Sequence, residues 1–288
     1  MQETSKVRET NLSPAYLRSL AGDIPYSREI ANAINAQREY ELKWKGDSGF
    51  FYMAPFMEFR YKSITEFVKK TGFKQVLEIA AGWSTRGMEM TEDPTITYLE
   101  TDQSGEEISK KNKIVNEMLG GQRENLHLLQ LDALTGTGLA EALKILGNKP
   151  TCVVHEGLLR YMLHETKAKI IENIKSVMRA TGGVYITPDI ITSDSRDQFP
   201  NLQKHFKTAA QVQSKALGIE IEKCFFKDQD EAQNFFEGCG LSVERHTQGE
   251  FVKSSSSIKN LESRDPKVEW KDVLKFVSNR PIWMMRLK

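Results

Sequence analysis

The sequence predicts an α/β protein in which a mostly parallel sheet follows an N-terminal helical segment. From residue 75 onward, five short apolar runs alternate with amphipathic stretches, which is the pattern of successive βαβ units. Before residue 74 the apolar positions have helical spacing, and no strand pattern occurs. Two closing apolar runs lack a standard crossover helix between them, so we expect an antiparallel edge to the sheet.

The helical segment ends in a well-defined stretch, "FMEFRYKSITEFVKKTG" (56–72). Phe56, Phe59 and Ile64 fall on one side of a helix, and Gly72 is typical of a residue just past a helix C-terminus. The predicted parallel strands then follow as "QVLEIAA" (75–81), "TITYLETD" (95–102), "LHLLQLDA" (126–133), "TCVVHEG" (151–157) and "GVYITPDII" (183–191). Amphipathic spacing predicts helices over 84–91, 104–119, 137–146, 164–180, 200–217, 228–238 and 268–277.

The C-terminal part contains the two closing strands, "LSVERHT" (241–247) and "PIWMMRLK" (281–288). The serines at 254–257 lie between these strands and predict a flexible surface loop. The helix over 104–119 carries Lys110, Lys111 and Lys113, which are offset by nearby glutamates, so it predicts a solvated outer face.

Composition excludes several classes of protein. The 288 residues include 40 basic and 39 acidic side chains, and a net charge of +1 argues against a nucleic-acid partner. No apolar run approaches the roughly 20 residues of a membrane span, and the polar start "MQETSKVRETN" does not resemble a signal peptide. Three widely spaced cysteines form no C-x-x-C pair, which predicts no metal site and a reducing, cytoplasmic location. Nothing in the sequence indicates the oligomeric state.

Polar residues follow four predicted strands in turn, and ligands of open parallel sheets bind at the carboxyl ends of strands. Gly82 follows the first strand. Asp102 ends the second strand twenty positions later, which is the spacing of an acid that holds a ribose. Asp132 and Ala133 follow the third strand, where a carboxylate and a backbone N–H suit an adenine ring. Glu156 follows the fourth strand, so the set predicts a site for an adenosine-containing ligand.

The loop "AAGWSTRG" (80–87) indicates which ligand this is. It lacks the G-x-G-x-x-G spacing of dinucleotide sites, and Trp83 is bulky where a pyrophosphate would lie. The loop therefore favours S-adenosylmethionine over a nicotinamide cofactor, and an oxidoreductase is the weaker interpretation. Glu78, inside the first strand, either is paired in the core or lines the cofactor pocket.

The segments "VLEIAAGWSTRG", "YLETD", "LQLDA" and "HEGLLRYM", in this order, resemble the leucine carboxyl methyltransferase family. The resemblance is closer to its bacterial branch of polyketide-type O-methyltransferases and covers about residues 50–250. It implies a Rossmann-like class I methyltransferase fold, with a seven-stranded sheet whose last strand is antiparallel. We expect a helical cap over 1–73 and a cofactor-binding domain over 74–288, with an insertion at 252–279.

The resemblance also implies roles for individual residues. Gly82 would approach the methionine part of the cofactor, and Asp102 would hold the ribose. Glu156 would lie beside the amino group or the sulfonium, and Tyr161 beside the methyl donor. Arg60 is placed like a family arginine that pairs with the cofactor carboxylate. Asp132 and Ala133 would contact the adenine ring. At position 80 this sequence has alanine, whereas many family members have glycine.

Methyl transfer from a sulfonium is an in-line displacement, so the protein mainly supplies alignment and a dry pocket. A carboxylate acceptor needs no general base, because it is already ionised near pH 7. A hydroxyl acceptor benefits from a base, for which Asp189 and His155 are candidates, although strand alternation favours an inward position for His155. Tyr161, Glu156 and Asp189 are thus the predicted catalytic residues.

Three functions remain compatible with the sequence. The first is a small-molecule O-methyltransferase, and the second is a protein carboxyl methyltransferase like the eponymous family members. The third is a non-catalytic protein that binds S-adenosylmethionine.

Overall fold

The computed structural model describes residues 12–43, 51–194, 218–264, 266 and 268–288, together with seven positions between 202 and 215. Its centre is a seven-stranded sheet with the strand order β3-β2-β1-β4-β5-β7-β6. The strands are β1 (Gln75–Ile79), β2 (Thr97–Asp102), β3 (Leu126–Gln130), β4 (Thr151–His155), β5 (Val184–Thr187), β6 (Leu241–Thr247) and β7 (Pro281–Leu287). All five predicted parallel strands are therefore present.

The antiparallel strand is β7, which confirms the expectation for the last strand of the sheet. It pairs antiparallel with both β5 and β6, while β1 to β5 pair parallel with one another. β7 lies between β5 and β6, and its pairing with β6 forms the antiparallel edge expected from the two closing runs.

Helices cover both faces of the sheet. They are α1 (Leu12–Ser19), α2 (Ser27–Ala33), α3 (Ala36–Lys43), α4 (Met53–Thr71), α5 (Arg86–Met90), α6 (Gly105–Leu119), α7 (Leu139–Leu146), α8 (His164–Thr181), α9 (Gln229–Gly238), α10 (Gln248–Phe251), α11 (Ser256–Leu261) and α12 (Trp270–Ser278). As expected, α4 is followed by Gly72, whose φ of 72° is the left-handed conformation that glycine adopts freely. The helix predicted over 200–217 lies largely outside the described residues.

Strand alternation divides the core into two layers. Leu77 and Val153 point to the face covered by α7, α8 and α9, while their neighbours Val76 and Val154 point to the face covered by α1, α2, α4, α5 and α6. All of these side chains are fully buried, which contributes about 1.5–3 kcal/mol for each large aliphatic group. The N-terminal helices thus lie on the sheet face that also carries the acidic residues of β1 and β2.

The prediction of a flexible surface loop at 254–257 fits Ser254, which is exposed and outside the helices, but is wrong for the three serines that follow. Ser255 caps α11, because its hydroxyl accepts a hydrogen bond from the backbone N–H of Ile258 at 3.1 Å. Ser255 and Ser257 are buried, since their hydroxyls donate to the carboxylate of Glu58 on α4. A serine run is typical of loops only where its hydroxyls meet water, and here they meet a buried carboxylate.

No helix within the described ranges is both long and apolar enough to cross a membrane.

Candidate functional site

The turn after β1 is held against the end of β2. The N–H of Gly82 donates to Oδ2 of Asp102 at 3.2 Å, and the N–H of Ala81 donates to the carbonyl of Thr101 at 2.8 Å. Ala80 has a φ of 52° and Gly82 a φ of 49°, so both adopt the left-handed conformation. That conformation costs alanine about 1 kcal/mol, which explains the preference for glycine at position 80.

A cleft opens beside this turn, between the end of β2 and the start of α6. Its lining consists of Gly82, Trp83, Asp102, Glu107, Ile108 and Lys111. Asp102 is half-buried, so its carboxylate is accessible from this cleft. The sequence therefore placed Gly82 and Asp102 together correctly, although their function as ligands of a ribose stays a prediction.

The prediction of a solvated outer face for α6 is wrong for Lys111, which lines this cleft. Lys111 is buried, and its Nζ lies 2.6 Å from the Oε2 atom of Glu100 on β2. Burial raises the pKa of Glu100, and Lys111 opposes that effect. Glu100 also accepts a hydrogen bond from the N–H of Gly87 at 3.0 Å, which ties α5 to β2. Counting charges along α6 could not reveal this pair, because Glu100, the partner of Lys111, lies on β2.

Asp132 and Ala133 lie beyond the end of β3. Oδ1 of Asp132 accepts hydrogen bonds from the backbone N–H groups of Leu134 at 2.8 Å and Thr135 at 3.3 Å. The carbonyl of Ala133 accepts from Asn173 on α8 at 2.8 Å. Asp132 thus shapes its own turn, and the turn lies at the same sheet edge as Asp102, because β2 and β3 are parallel neighbours.

A buried cluster of charges fills the space between β1, β4 and α4. We call it the arginine–glutamate cluster; it consists of Arg18, Arg60, Arg86, Glu78 and Glu156. Glu156 accepts hydrogen bonds from Nη2 of Arg60 at 2.9 Å and from Nη2 of Arg86 at 2.9 Å. Arg18 lies 3.6 Å from the same carboxylate and also donates to the carbonyl of Trp83 at 2.9 Å.

Glu78 belongs to this cluster through Arg86. Nη1 of Arg86 donates to Oε1 of Glu78, while the hydroxyl of Tyr98 donates to Oε2 at 2.7 Å. Glu78 and Arg86 are both essentially inaccessible to solvent. Of the two roles left open for Glu78, this geometry favours pairing in the core.

The electrostatics of the cluster favour a negatively charged ligand. Three arginines face two glutamates within the cluster, which leaves one surplus positive charge there, and Asp189 lies near Arg60 as a further carboxylate. Burial alone would raise the pKa of Glu156, but Arg60, Arg18 and Arg86 outweigh that effect and lower it. Nε of Arg60 is buried and has no hydrogen-bond partner among the described residues. A buried donor without a partner is costly, and a carboxylate of a ligand would satisfy it.

The turn that follows Glu156 depends on Asp189. Oδ1 of Asp189 accepts from the N–H of Gly157 at 3.0 Å, and Oδ2 accepts from the N–H groups of Leu158 at 2.7 Å and Leu159 at 3.0 Å. Burial raises the pKa of Asp189, but His155 and the nearby arginine charges hold it well below its usual range. A carboxylate used in this way is a weak base, so the geometry favours a positioning role over proton abstraction.

Two further predicted residues flank this turn. His155 is fully buried, with Nε2 2.5 Å from the hydroxyl of Tyr185 and Nδ1 3.3 Å from Asp189. Tyr161 ends a short 3-10 helix, Leu159–Tyr161, and is half-buried, with the guanidinium of Arg160 5.1 Å from its ring centroid. His155 is therefore buried on the sheet face opposite Glu156, as strand alternation predicts, while Tyr161 is partly exposed.

A sequence profile of the leucine carboxyl methyltransferase family matches residues 22–175, more than half of the chain. The chain belongs to the leucine carboxyl methyltransferase family. The protein is therefore an S-adenosylmethionine-dependent methyltransferase, which confirms the class of enzyme and the cofactor predicted from the sequence. No curated protein sequence matches the chain.

Solved structures show the same fold at low sequence identity. Magnesium protoporphyrin IX methyltransferase (ChlM) from Synechocystis PCC 6803, crystallised with bound SAH, is 9% identical with a TM-score of 0.50, over 86% of this chain and 92% of that one. The methyltransferase domain of bacterial CtHen1 is 12% identical with a TM-score of 0.50, over 81% of this chain and 100% of that one. These similarities confirm the class I methyltransferase fold.

Two members of the arginine–glutamate cluster, Arg86 and Arg18, were not predicted from the sequence. Arg86 is the first residue of α5 and was overlooked inside the loop that drew attention to Gly82; its charge beside the apolar Met88 and Met90 was the available signal. Arg18 lies beside Leu17 and three residues after Ala15, both buried, so a lone charge on an apolar helix side was the available signal. Within the described part of the chain, no three His, Cys, Asp or Glu side chains are grouped as metal ligands.

Proposed function

We propose that this family member transfers a methyl group to an oxygen atom of a small molecule, and that a carboxylate is the preferred acceptor. The observation that carries the proposal is that each candidate base is either buried or already occupied by hydrogen bonds. His155 is fully buried, Asp189 accepts three backbone N–H bonds, and Glu156 is held by three arginines. A carboxylate needs none of them, because it is already ionised near neutral pH.

The residues present fit the cofactor. Asp102 would accept hydrogen bonds from the two ribose hydroxyls, since a carboxylate offers paired acceptors to paired donors. Gly82 would allow close approach of the backbone. Arg60, with its buried Nε–H, would bind the carboxylate of the methionine part, and Glu156 would receive the ammonium group. When bound, S-adenosylmethionine supplies an activated methyl group on a sulfonium.

The remaining predicted residues would shape the surroundings. Asp132 and Ala133 would meet the adenine ring. Tyr161 would exclude water from the acceptor side, and Asp189 would hold the turn that carries Glu156 and Tyr161 in place. Their shared task is alignment of an in-line displacement, in which near-attack geometry supplies most of the acceleration.

We also propose that residues 1–73 act as a cap over the domain formed by 74–288. The support is Arg18 on α1, which reaches the carbonyl of Trp83 and the carboxylate of Glu156, both in the second segment. An aromatic side chain from the same segment, Tyr61, stacks under the guanidinium of Arg86 at 4.5 Å. A cap that contributes charged groups would close the pocket around the methionine part of the cofactor.

A second candidate function is carboxyl methylation of a protein, which the name of the family favours. Both functions are tested by following radiolabelled methyl transfer from S-adenosylmethionine to three acceptor panels: small carboxylic acids, small phenols and alcohols, and peptides that end in leucine. We expect turnover with members of the first panel. Turnover only with hydroxyl acceptors would contradict the carboxylate preference, and turnover only with peptides would establish the second candidate. Cofactor binding without turnover on any panel would support a non-catalytic role.

A further inference from the structure

Glu58 on α4 is a fully buried carboxylate with an unusually complete set of donors. Its Oε1 atom accepts hydrogen bonds from Nζ of Lys62 at 2.6 Å and from the backbone N–H of Ser256 at 2.8 Å. Its Oε2 atom accepts from the hydroxyl of Ser255 at 2.6 Å, and from the hydroxyl and the N–H of Ser257 at 2.6 and 3.0 Å. We call this group of five residues the serine clasp. It joins α4 to the first turn of α11, almost 200 residues away in the chain.

The same helix α11 also holds the segment that follows α1. Nδ2 of Asn260 donates to the carbonyls of Leu20 and Ala21, both at 3.0 Å. The hydroxyl of Ser256 donates to Oδ2 of Asp23 at 2.6 Å. Because α11 contacts α4 on one side and the end of α1 on the other, it fixes these two elements relative to each other.

These two elements carry the arginines that converge on Glu156. Arg18 is on α1, two residues before the segment bound by Asn260, and Arg60 is on α4, two residues after Glu58. We propose that the serine clasp is a positioning device, through which the segment 252–279 aligns Arg18 and Arg60 for the carboxylate of the bound cofactor. This inference rests on the proposed role of those arginines. It gives a purpose to a segment that contributes no residue to the arginine–glutamate cluster.

The chemistry of the clasp explains why Glu58 is suited to this task. Both carboxylate oxygens of Glu58 accept hydrogen bonds from these donors. In glutamine one oxygen is replaced by an NH₂ group, which would face donors in place of an acceptor. The backbone N–H groups of Ser256 and Ser257 cannot be reversed, and a buried donor without an acceptor is unfavourable. Glu58→Gln should therefore loosen α11 from α4 while the sheet and its strand ends remain intact.

The test compares the binding of two ligands that differ in the amino-acid part of the molecule. S-adenosylhomocysteine has the amino-acid carboxylate, whereas 5′-methylthioadenosine has the same nucleoside without it. By calorimetry, we expect Glu58→Gln to weaken binding of S-adenosylhomocysteine about tenfold, because a displaced Arg60 loses part of its charge-assisted hydrogen bond to the ligand carboxylate. Binding of 5′-methylthioadenosine, which has no such carboxylate, should change less than about twofold. A general loss of structure would weaken both ligands equally and would overturn the proposal, as would unchanged affinity for both.

Asn260→Ala provides a second variant that should fold readily, because Asn260 is exposed. It should weaken binding of S-adenosylhomocysteine selectively but less, by about threefold, because it releases only the segment after α1 and leaves the bonds of Glu58 in place. Matched controls are Glu66→Gln on α4 and Lys259→Ala on α11, both exposed and outside the clasp, which should leave both affinities unchanged. If the unaltered protein binds neither ligand, the cofactor assignment itself fails. If it binds both and no variant is selective, only the clasp proposal fails.

Discussion

Arg86→Met should destabilise the buried charge network, because Arg86 contacts both glutamates of the arginine–glutamate cluster. The substitution removes the guanidinium and keeps an unbranched apolar side chain that is shorter than that of arginine. Glu78 is 1% exposed and would retain its bonds from Tyr98 and Ser84 while losing its cation. Removing one partner of a buried ion pair typically costs about 3–5 kcal/mol, because the other charge is left buried and unpaired.

The free energy of unfolding, measured by urea denaturation, is the appropriate readout. A domain has about 5–15 kcal/mol of stability, so the expected loss is readily measured. Arg179→Met is a matched control, because Arg179 pairs with Glu172 at 2.8 Å on the surface. Exposed pairs contribute about 0–1 kcal/mol, so this control should be nearly neutral.

The double variant Glu78→Gln/Arg86→Met separates charge from packing. It removes the unpaired carboxylate, so it should be more stable than Arg86→Met alone. A loss below about 1 kcal/mol for Arg86→Met, the size expected of an exposed pair, would refute the reasoning. A double variant that is no more stable than Arg86→Met would refute it as well.

Three further predictions concern Asp102, Asp189 and a buried lysine on α8. Asp102→Ala should weaken S-adenosylhomocysteine binding at least about tenfold, or about 1.4 kcal/mol, in calorimetry; unchanged affinity would contradict the ribose assignment. Asp189→Asn should lower kcat without changing the shape of the pH–rate profile, because Asp189 positions a turn; loss of the acidic limb would instead identify it as the base. Lys167 on α8 is buried, and its Nζ donates to the carbonyl of Cys224. Burial lowers its pKa to about 8, so between about pH 8 and 10.5 the unfolded state binds more protons and stability should rise with pH. Lys167→Met should abolish that rise in denaturation experiments; an identical pH dependence in both proteins would contradict the shift.

The sheet could be predicted because its signals are local. Each parallel strand is a short apolar run, and Gly72 marks the end of α4 without reference to any other element. Gly82 and Asp102 could be predicted as neighbours for a related reason. Parallel strands bring their carboxyl ends to one edge, so a fixed spacing along the chain becomes proximity in space.

The errors arose where a residue's partner is distant in the chain. The serines at 254–257 have the composition of a loop, and only the distant Glu58 explains why Ser255 and Ser257 are buried. Lys111 has the spacing of a surface lysine, and only Glu100 on a neighbouring strand explains its burial. Arg18 on α1 has its partner, Glu156, in a distant part of the chain. Long-range pairing of charges leaves little trace in a single sequence, whereas hydrophobic periodicity leaves a clear one.

The most direct test of the account is a crystal structure of the protein with S-adenosylhomocysteine. The central claim is that the surplus positive charge of the arginine–glutamate cluster binds the amino-acid end of the cofactor. We expect the ligand carboxylate within hydrogen-bond distance of Nε of Arg60, and the ribose hydroxyls on Asp102. A ligand carboxylate that contacts solvent or another part of the fold, with Arg60 still bound only to Glu156, would contradict the claim.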